Sequence, residues 1–228
     1  QVSRTEPEGY PRLGSATAPV QVVEYSSFDC PHCREFHDQS IDAIIERVRS
    51  GQIAFTYVPL YGYGSTPNGQ GAAAAAICAA EQGQFWQFHD ALFDWQGRYG
   101  TQAFTNNRIL TGVDALELDR GAYNACIGSS VPGQLLNTAR AQVSSLLNFT
   151  GTPTITINGV VPLDENQQPI SASSAIIARI DEEIARLGVR GVTPEATVEA
   201  DAPEEVPLAP TAEVTSEAEA TAEAAADS

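Results

Sequence analysis

Two cysteines separated by two residues are the part of this sequence best suited to chemistry. Cys30 and Cys33 enclose a Pro-His pair. Two cysteines at this spacing on the first turn of a helix can reach each other and close a small disulfide ring. Such a pair is a redox dithiol, a purely structural disulfide or half of a zinc site. A four-cysteine zinc site usually needs a second close pair, and the other cysteines, Cys78 and Cys126, are isolated. The pattern favours redox chemistry, without a metal or a cofactor.

The residues around the pair place it at the start of a helix. Residues 20–25 are rich in β-branched side chains, which is typical of a buried strand. The apolar residues after the motif recur at helical spacing. Free N–H groups and the positive end of the helix dipole favour a thiolate at Cys30, and Pro31 in the first turn loses no hydrogen bond. We expect Cys30 to be the exposed nucleophile and Cys33, one turn further in, to resolve the mixed disulfide.

Three polar side chains near the motif are candidates for tuning these thiols. If protonated, His32 adds a positive charge beside a Cys30 thiolate; the alternative is a histidine that faces solvent. Glu24 lies on the predicted strand, where an acid among apolar residues costs free energy unless it has a partner or a function. Asp29 directly precedes Cys30, so its carboxylate is expected to raise the pKa of that thiol and weaken the disulfide as an oxidant.

The other histidines receive no function from the sequence. His37 follows Cys33 by four residues and is expected on the helix surface, although it could in principle join a metal site. His89 stands next to Asp90 without a nearby serine or second ligand, and we interpret it as a helix-face or capping histidine.

A second stretch, residues 151–159, begins with Gly-Thr-Pro and continues as a short alternating strand and an Asn-Gly turn. The turn predicts a hairpin of residues 154–157 with 160–163. Together with Cys-Pro-His-Cys, the Thr152-Pro153 pair resembles the thioredoxin superfamily and, within it, the DsbA-like thiol–disulfide oxidoreductases. The resemblance covers residues 14–187. It implies an α/β architecture, a thioredoxin fold with an inserted helical domain.

The resemblance also implies roles for individual residues. A cis Pro153 would face the cysteine pair, and the backbone at Thr152 would bind an extended substrate peptide. Glu24 would be a buried acid near the inner cysteine that transfers protons; an ion pair with an arginine is the alternative. Some members carry a structural disulfide in the helical domain, which Cys78 and Cys126 would match. Free thiols or a second redox pair remain alternatives for these two residues.

The rest of the chain divides by composition and periodicity. Residues 1–13 are polar with proline and glycine, and are expected to form a flexible leader. Residues 14–64 and 149–190 supply the thioredoxin-like domain. Residues 65–148 carry only helical signals and would be the inserted helical domain. Residues 191–228 lack apolar periodicity and are rich in Ala, Glu, Thr and Pro, which predicts a disordered acidic tail.

Charge and cysteine content limit the partners and the compartment. The formal net charge is −17, which argues against binding to nucleic acid or to an anionic membrane surface. No basic residue follows Arg190, and ten carboxylates lie between Glu195 and Asp227. Two plausible cysteine pairs fit an oxidising, extracytoplasmic compartment, periplasmic, cell-envelope or secreted. We expect a signal or anchor segment upstream of Gln1.

The resemblance predicts a monomeric oxidase that forms disulfides in reduced or unfolded exported proteins. Its reoxidant would be a membrane quinone-linked thiol oxidase. A reductase or isomerase of the same fold is the first alternative, although Pro-His between the cysteines differs from the Cys-Gly-Pro-Cys that reductases resemble. A peptide-binding chaperone with a non-essential dithiol is the alternative from another class.

Overall fold

The computed structural model of the protein describes residues 2–189, so the predicted acidic tail lies outside the described residues. Within this range, five strands form one sheet: β1 (Val2–Arg4), β2 (Pro11–Leu13), β3 (Val20–Ser27), β4 (Ile53–Leu60) and β5 (Thr154–Ile157). The α-helices are α1 (Pro31–Arg49), α2 (Gly69–Ala80), α3 (Phe85–Tyr99), α4 (Asn106–Ala115), α5 (Arg120–Ile127), α6 (Val131–Ser145) and α7 (Ser173–Arg186). None of these helices is long and apolar enough to cross a membrane.

The sheet is built around its two longest strands. Its strand order is β1-β2-β4-β3-β5. β3 and β4 are parallel neighbours joined through α1, and every residue of β4 is buried. A strand covered on both faces needs a near-continuous apolar sequence, which Ile53-Ala-Phe-Thr-Tyr-Val supplies. The predicted strands at 20–25 and 53–58, their parallel pairing and the helix between them are therefore confirmed, as is the α/β fold.

The predicted flexible leader is wrong for the residues described. β1 pairs antiparallel with β2, and β2 pairs antiparallel with β4. The Arg12 guanidinium donates to the Ser3 hydroxyl at 3.2 Å, and Tyr10 is buried. Three-residue strands are too short to show an alternating pattern. They form here because the outer edge of β4 offers unpaired backbone groups that need partners.

The predicted hairpin is only half formed. The Asn158-Gly159 turn is present, with positive φ at both residues, and a single bridge links Ile157 to Val160. Residues 160–163 are not a strand. Pro162 has no N–H to donate to a ladder, and its carbonyl instead accepts a hydrogen bond from the Ile170 N–H at 3.0 Å.

Helices α2 to α6 occupy the place predicted for a helical insertion, between β4 and β5. Buried alanines let α2 pack closely, and α3 contributes the aromatic side chains Phe85, Phe88 and Phe93. These residues share one apolar core with the sheet. A disulfide joins Cys78 on α2 to Cys126 on α5, with 5.7 Å between their Cα atoms.

Candidate active site

The cysteine pair lies where β3 passes into α1, as the sequence predicts. Cys30 is the N-cap residue of α1, and Pro31 occupies its first turn. β5 runs antiparallel to β3, with Thr154 opposite Tyr25. The residues that precede β5 therefore lie beside those that follow β3. The Thr152–Pro153 peptide bond is cis, and the Cys30 thiol donates to the Thr152 carbonyl at 3.3 Å.

Cys30 is less accessible than the sequence suggests. Both cysteines are free thiols in this structure, and Cys30 is only 2% exposed. The expectation of an exposed nucleophile is therefore wrong for this state, because the segment around Thr152 lies against the sulfur. A substrate sulfur must displace this contact to reach Cys30.

The two thiols differ in acidity because their surroundings differ. The pKa of Cys30 is lowered to about 5, first by a hydrogen bond from the Cys33 thiol and further by Thr152 and the backbone N–H groups of Cys33 and His32; burial opposes the shift. Burial raises the pKa of Cys33 well above its usual value, and its hydrogen bond to Cys30 adds to this. Of the two thiols Cys30 therefore ionises first, and its ionisation ends the hydrogen bond that it donates to the Thr152 carbonyl.

The imidazole of His32 points away from the two thiols and toward solvent. Its side chain is 80% exposed, and Nδ1 lies 3.7 Å from Glu35 Oε2. The contribution of His32 to the lowered pKa of Cys30 comes from its backbone N–H. Stabilisation of the thiolate by the imidazole itself stays a prediction.

Asp29 is held by hydrogen bonds inside the protein. Its buried carboxylate accepts hydrogen bonds from the Ser27 hydroxyl and from the Gly62 N–H, the latter at 2.7 Å. Gly69, the first residue of α2, packs directly against this carboxylate and leaves no room for a Cβ atom. Asp29 is not among the groups that shift the pKa of Cys30, so the expected rise stays a prediction.

Glu24 is buried on β3, as the resemblance implies. Burial raises the pKa of its carboxyl to about 7, and the nearby Cys30 thiolate acts in the same direction. Its Oε1 atom has no hydrogen-bond partner among residues 2–189, and none of the charges acting on its pKa belongs to an arginine. A role of Glu24 in proton transfer stays a prediction.

A groove of about 800 Å³ begins beside the cis-proline. It runs between α1, the 150–155 segment and the start of α7, and both polar and apolar groups line it. Representative residues along it are His32, Phe36, Thr152, Pro153, Ile170 and Ile177.

Gln96 is a site residue that sequence reasoning missed. Its side-chain amide donates to the carbonyls of Phe28 and Cys30, the latter at 3.1 Å, and accepts from Arg34 Nε at 3.0 Å. These hydrogen bonds link α3 to Phe28 and Cys30, in the turn between β3 and α1. The only signal in the sequence is a polar residue on the buried face of an otherwise aromatic helix.

His89 also differs from its prediction. It is 1% exposed and lies among aromatic rings, not on a helix surface. Its Nδ1 atom is 2.9 Å from Asp90 Oδ1, and the same oxygen is 3.1 Å from Nε2 of His37, which is half-buried on α1.

Comparison with known proteins agrees with this geometry. The model of a family described as Thioredoxin matches residues 6–178. The chain is 24% identical over 165 residues to disulfide bond formation protein D of Bacillus subtilis, which covers 68% of this chain and 70% of that protein. It is 31% identical over 147 residues to the Na(+)/H(+) antiporter NhaA 3 of Salinispora tropica, covering 64% of this chain but only 21% of the antiporter. The chain thus spans about a fifth of that relative's length.

The fold has close counterparts among solved structures. Oxidised BdbD from Bacillus subtilis superposes with a TM-score of 0.64 at 20% identity, over 80% of this chain and 96% of that one. The extent of the family match, the cysteine pair at the start of α1 and the cis-proline beside it lead to one assignment. The chain belongs to this thioredoxin family.

Proposed function

We propose that this protein forms disulfide bonds in reduced, exported proteins by exchange through Cys30 and Cys33. One observation carries the proposal: the contacts around Cys30 favour its thiolate, while Cys33 keeps its proton. A stabilised thiolate stabilises the reduced enzyme, which makes the enzyme's disulfide a stronger oxidant.

The reaction starts from the Cys30–Cys33 disulfide. A substrate thiolate attacks the Cys30 sulfur, the enzyme disulfide breaks, and Cys33 leaves and takes up a proton. A second substrate thiolate then attacks the substrate sulfur of the mixed disulfide and releases Cys30 as a thiolate. The substrate loses two electrons and gains a disulfide; the enzyme gains both electrons and becomes a dithiol.

Two neighbouring groups support this cycle. Glu24, with a pKa of about 7, can give a proton to Cys33 as it leaves and recover one from solvent. The backbone at Thr152 and Pro153 would pair with an extended peptide in the groove, a mode that reads backbone more than side chain. Broad substrate range would follow.

The cellular setting belongs to the same proposal. Bacillus subtilis carries a relative named disulfide bond formation protein D. Because disulfides form and persist in oxidising compartments, an extracytoplasmic site of action fits the proposed activity. A membrane quinone-linked thiol oxidase would return the dithiol to the disulfide. We propose that the protein acts as a monomer.

The test follows the oxidation of a reduced, unfolded protein by the purified oxidised enzyme. We expect stoichiometric oxidation by the wild type and none by Cys30→Ser. Cys33→Ser, first converted to a mixed disulfide of Cys30 with glutathione, should exchange the glutathione for a substrate thiol and carry the substrate as a mixed disulfide, visible by mass. If Cys30→Ser keeps the ability to prevent aggregation and the wild type oxidises nothing, the chaperone alternative replaces the proposal. Repair of a scrambled substrate without net oxidation would favour an isomerase.

A further inference from the structure

Three side chains on α1 and α3 form a cluster that the thiol chemistry does not use. His37 Nε2 lies 3.1 Å from Asp90 Oδ1, and His89 Nδ1 lies 2.9 Å from the same oxygen. All three candidate ligand atoms are within 4.8 Å of one another. We propose that His37, His89 and Asp90 bind a divalent transition-metal ion of the zinc class.

The donor set suits such an ion. Imidazole nitrogen is a preferred ligand of zinc, copper and nickel, and two histidines with one carboxylate form an established zinc ligand set that leaves a position for water. The Asp90 side chain is 59% exposed, whereas the ring of His37 is 13% exposed. An ion can therefore enter from the Asp90 side and keep a solvent ligand there.

The surroundings of His37 match those of a metal-bound histidine. Its Nδ1 lies 3.3 Å from Asp38 Oδ1, while Nε2 faces the cluster. Histidines that bind metals commonly donate their other ring N–H to a carboxylate, which fixes the ring and the tautomer. Asp38 supplies that carboxylate from the next position on α1.

His89 provides an independent argument. Without an ion, its Nδ1 must carry the proton that bonds Asp90, so Nε2 is left as a bare acceptor. That atom is buried and has no hydrogen-bond partner within residues 2–189. The rings of Tyr57 and Phe93 stand nearly perpendicular to the His89 ring, with centroid distances of 4.8 and 5.0 Å. A buried, unpaired acceptor costs free energy.

An ion on Nδ1 of His89 removes this cost. The proton then resides on Nε2, and an N–H group can interact favourably with neighbouring aromatic rings where a lone pair cannot. The ion also replaces the hydrogen bonds that Asp90 receives from both imidazoles. The unusual environment of His89 therefore favours the metal-bound tautomer.

Binding of the ion needs the ligating nitrogen of each imidazole free of a proton. The proton of His89 therefore moves from Nδ1 to Nε2, and any proton on Nε2 of His37 is released to solvent.

The test uses the full protein with Cys30 and Cys33 oxidised, so that no thiol competes for the ion. The probe is Co²⁺, followed by its visible absorption, with Zn²⁺ as competitor. The chain has three histidines, and His32 lies outside the cluster, so His32→Asn is the matched control. We expect one ion per chain in the wild type and in this control, and at least a tenfold weaker affinity in His37→Asn and Asp90→Asn.

Thermal unfolding supplies a second readout that is independent of enzyme activity. Zn²⁺ should raise the Tm of the wild type and of His32→Asn, but not that of His37→Asn. Both cluster variants keep the acidic residues between Glu195 and Asp227, so weak uptake there cancels in the comparison. The proposal is overturned if the wild type binds no ion, or if His37→Asn binds it as tightly as the wild type.

Discussion

The molecule contains two cysteine pairs in opposite settings. Cys30 and Cys33 lie at a strand-to-helix junction, beside a cis-proline and a groove, and their thiols are free. Cys78 and Cys126 join two helices as a disulfide across 48 residues of sequence, and Cys78 is fully buried. The second pair cross-links two helices, whereas we propose that the first pair exchanges disulfides. The first pair differs from the second in lying at the N–H groups of a helix N-terminus and near the buried acid Glu24.

Breaking the second pair should have the largest effect on stability. The double variant Cys78→Ala, Cys126→Ala should lose roughly 4 kcal/mol of unfolding free energy, because the cross-link restricts the unfolded chain. Urea unfolding measures this loss. As a control, the folded variant should oxidise a reduced substrate at the same rate as the wild type. A loss of turnover at full folding would mean that the second pair relays electrons.

Glu24→Gln should remove a pH dependence of stability. In the folded protein the pKa of Glu24 is raised to about 7 from its usual 4.5. The folded state therefore holds the proton of Glu24 more tightly than the unfolded state. The contribution of Glu24 to the free energy of unfolding is greatest below about pH 4.5 and falls as the pH rises to 7. The shift corresponds to roughly 3 kcal/mol, fully lost above pH 7.

We would measure unfolding of the reduced protein between pH 4.5 and 8. The variant should lose less stability than the wild type over that interval. The rates of substrate attack on its disulfide and of substrate release should no longer depend on a group that titrates near pH 7. Ser26→Ala keeps the acid but removes a hydroxyl that lowers the pKa of Glu24, so its pH dependence should persist and shift to higher pH. Identical pH profiles for wild type and Glu24→Gln would refute the role of this carboxyl.

Asp29→Ala tests whether this residue supports the loop or tunes the thiol. The change leaves the Gly62 N–H and the Ser27 hydroxyl without their acceptor, so we expect a loss of roughly 2 kcal/mol in unfolding free energy. Asp29→Asn keeps an acceptor without the charge and should lose less. Thiolate absorbance should give a similar pKa for Cys30 in Asp29→Asn and the wild type. A clear fall of that pKa would restore the electrostatic role that the sequence suggested.

His32→Ala should have the smallest effect. The exposed imidazole is screened by solvent, and the backbone N–H that contacts the thiolate is retained. We expect the pKa of Cys30 to rise by less than about one unit. Glu35→Gln, which removes the neighbour of the imidazole, is the matched control. A rise of about two units or more would show that the side chain acts directly on the thiolate.

What the sequence could predict was local. The turn at Cys30, the strands and helix beside it and the alanine-rich helix α2 follow from periodicity and turn residues within short windows. The contacts it missed join distant positions. The burial of Cys30 depends on Thr152, the support of the catalytic turn depends on Gln96, and the leader became sheet because β4 had a free edge.

His89 illustrates the same limit. Its neighbour Asp90 is visible in the sequence, but the approach of His37 from another helix and the aromatic enclosure arise only from packing. Asp29 shows the converse. Its charge was evident from the sequence, but its effect depended on which hydrogen-bond donors the fold brings to it.

The redox equilibrium of Cys30 and Cys33 against glutathione tests the central claim most directly, with Cys78 and Cys126 followed separately by mass. The account predicts a potential near about −120 mV, as for strong disulfide donors, with the second pair linked throughout. A potential near about −270 mV would contradict it and indicate a reductase.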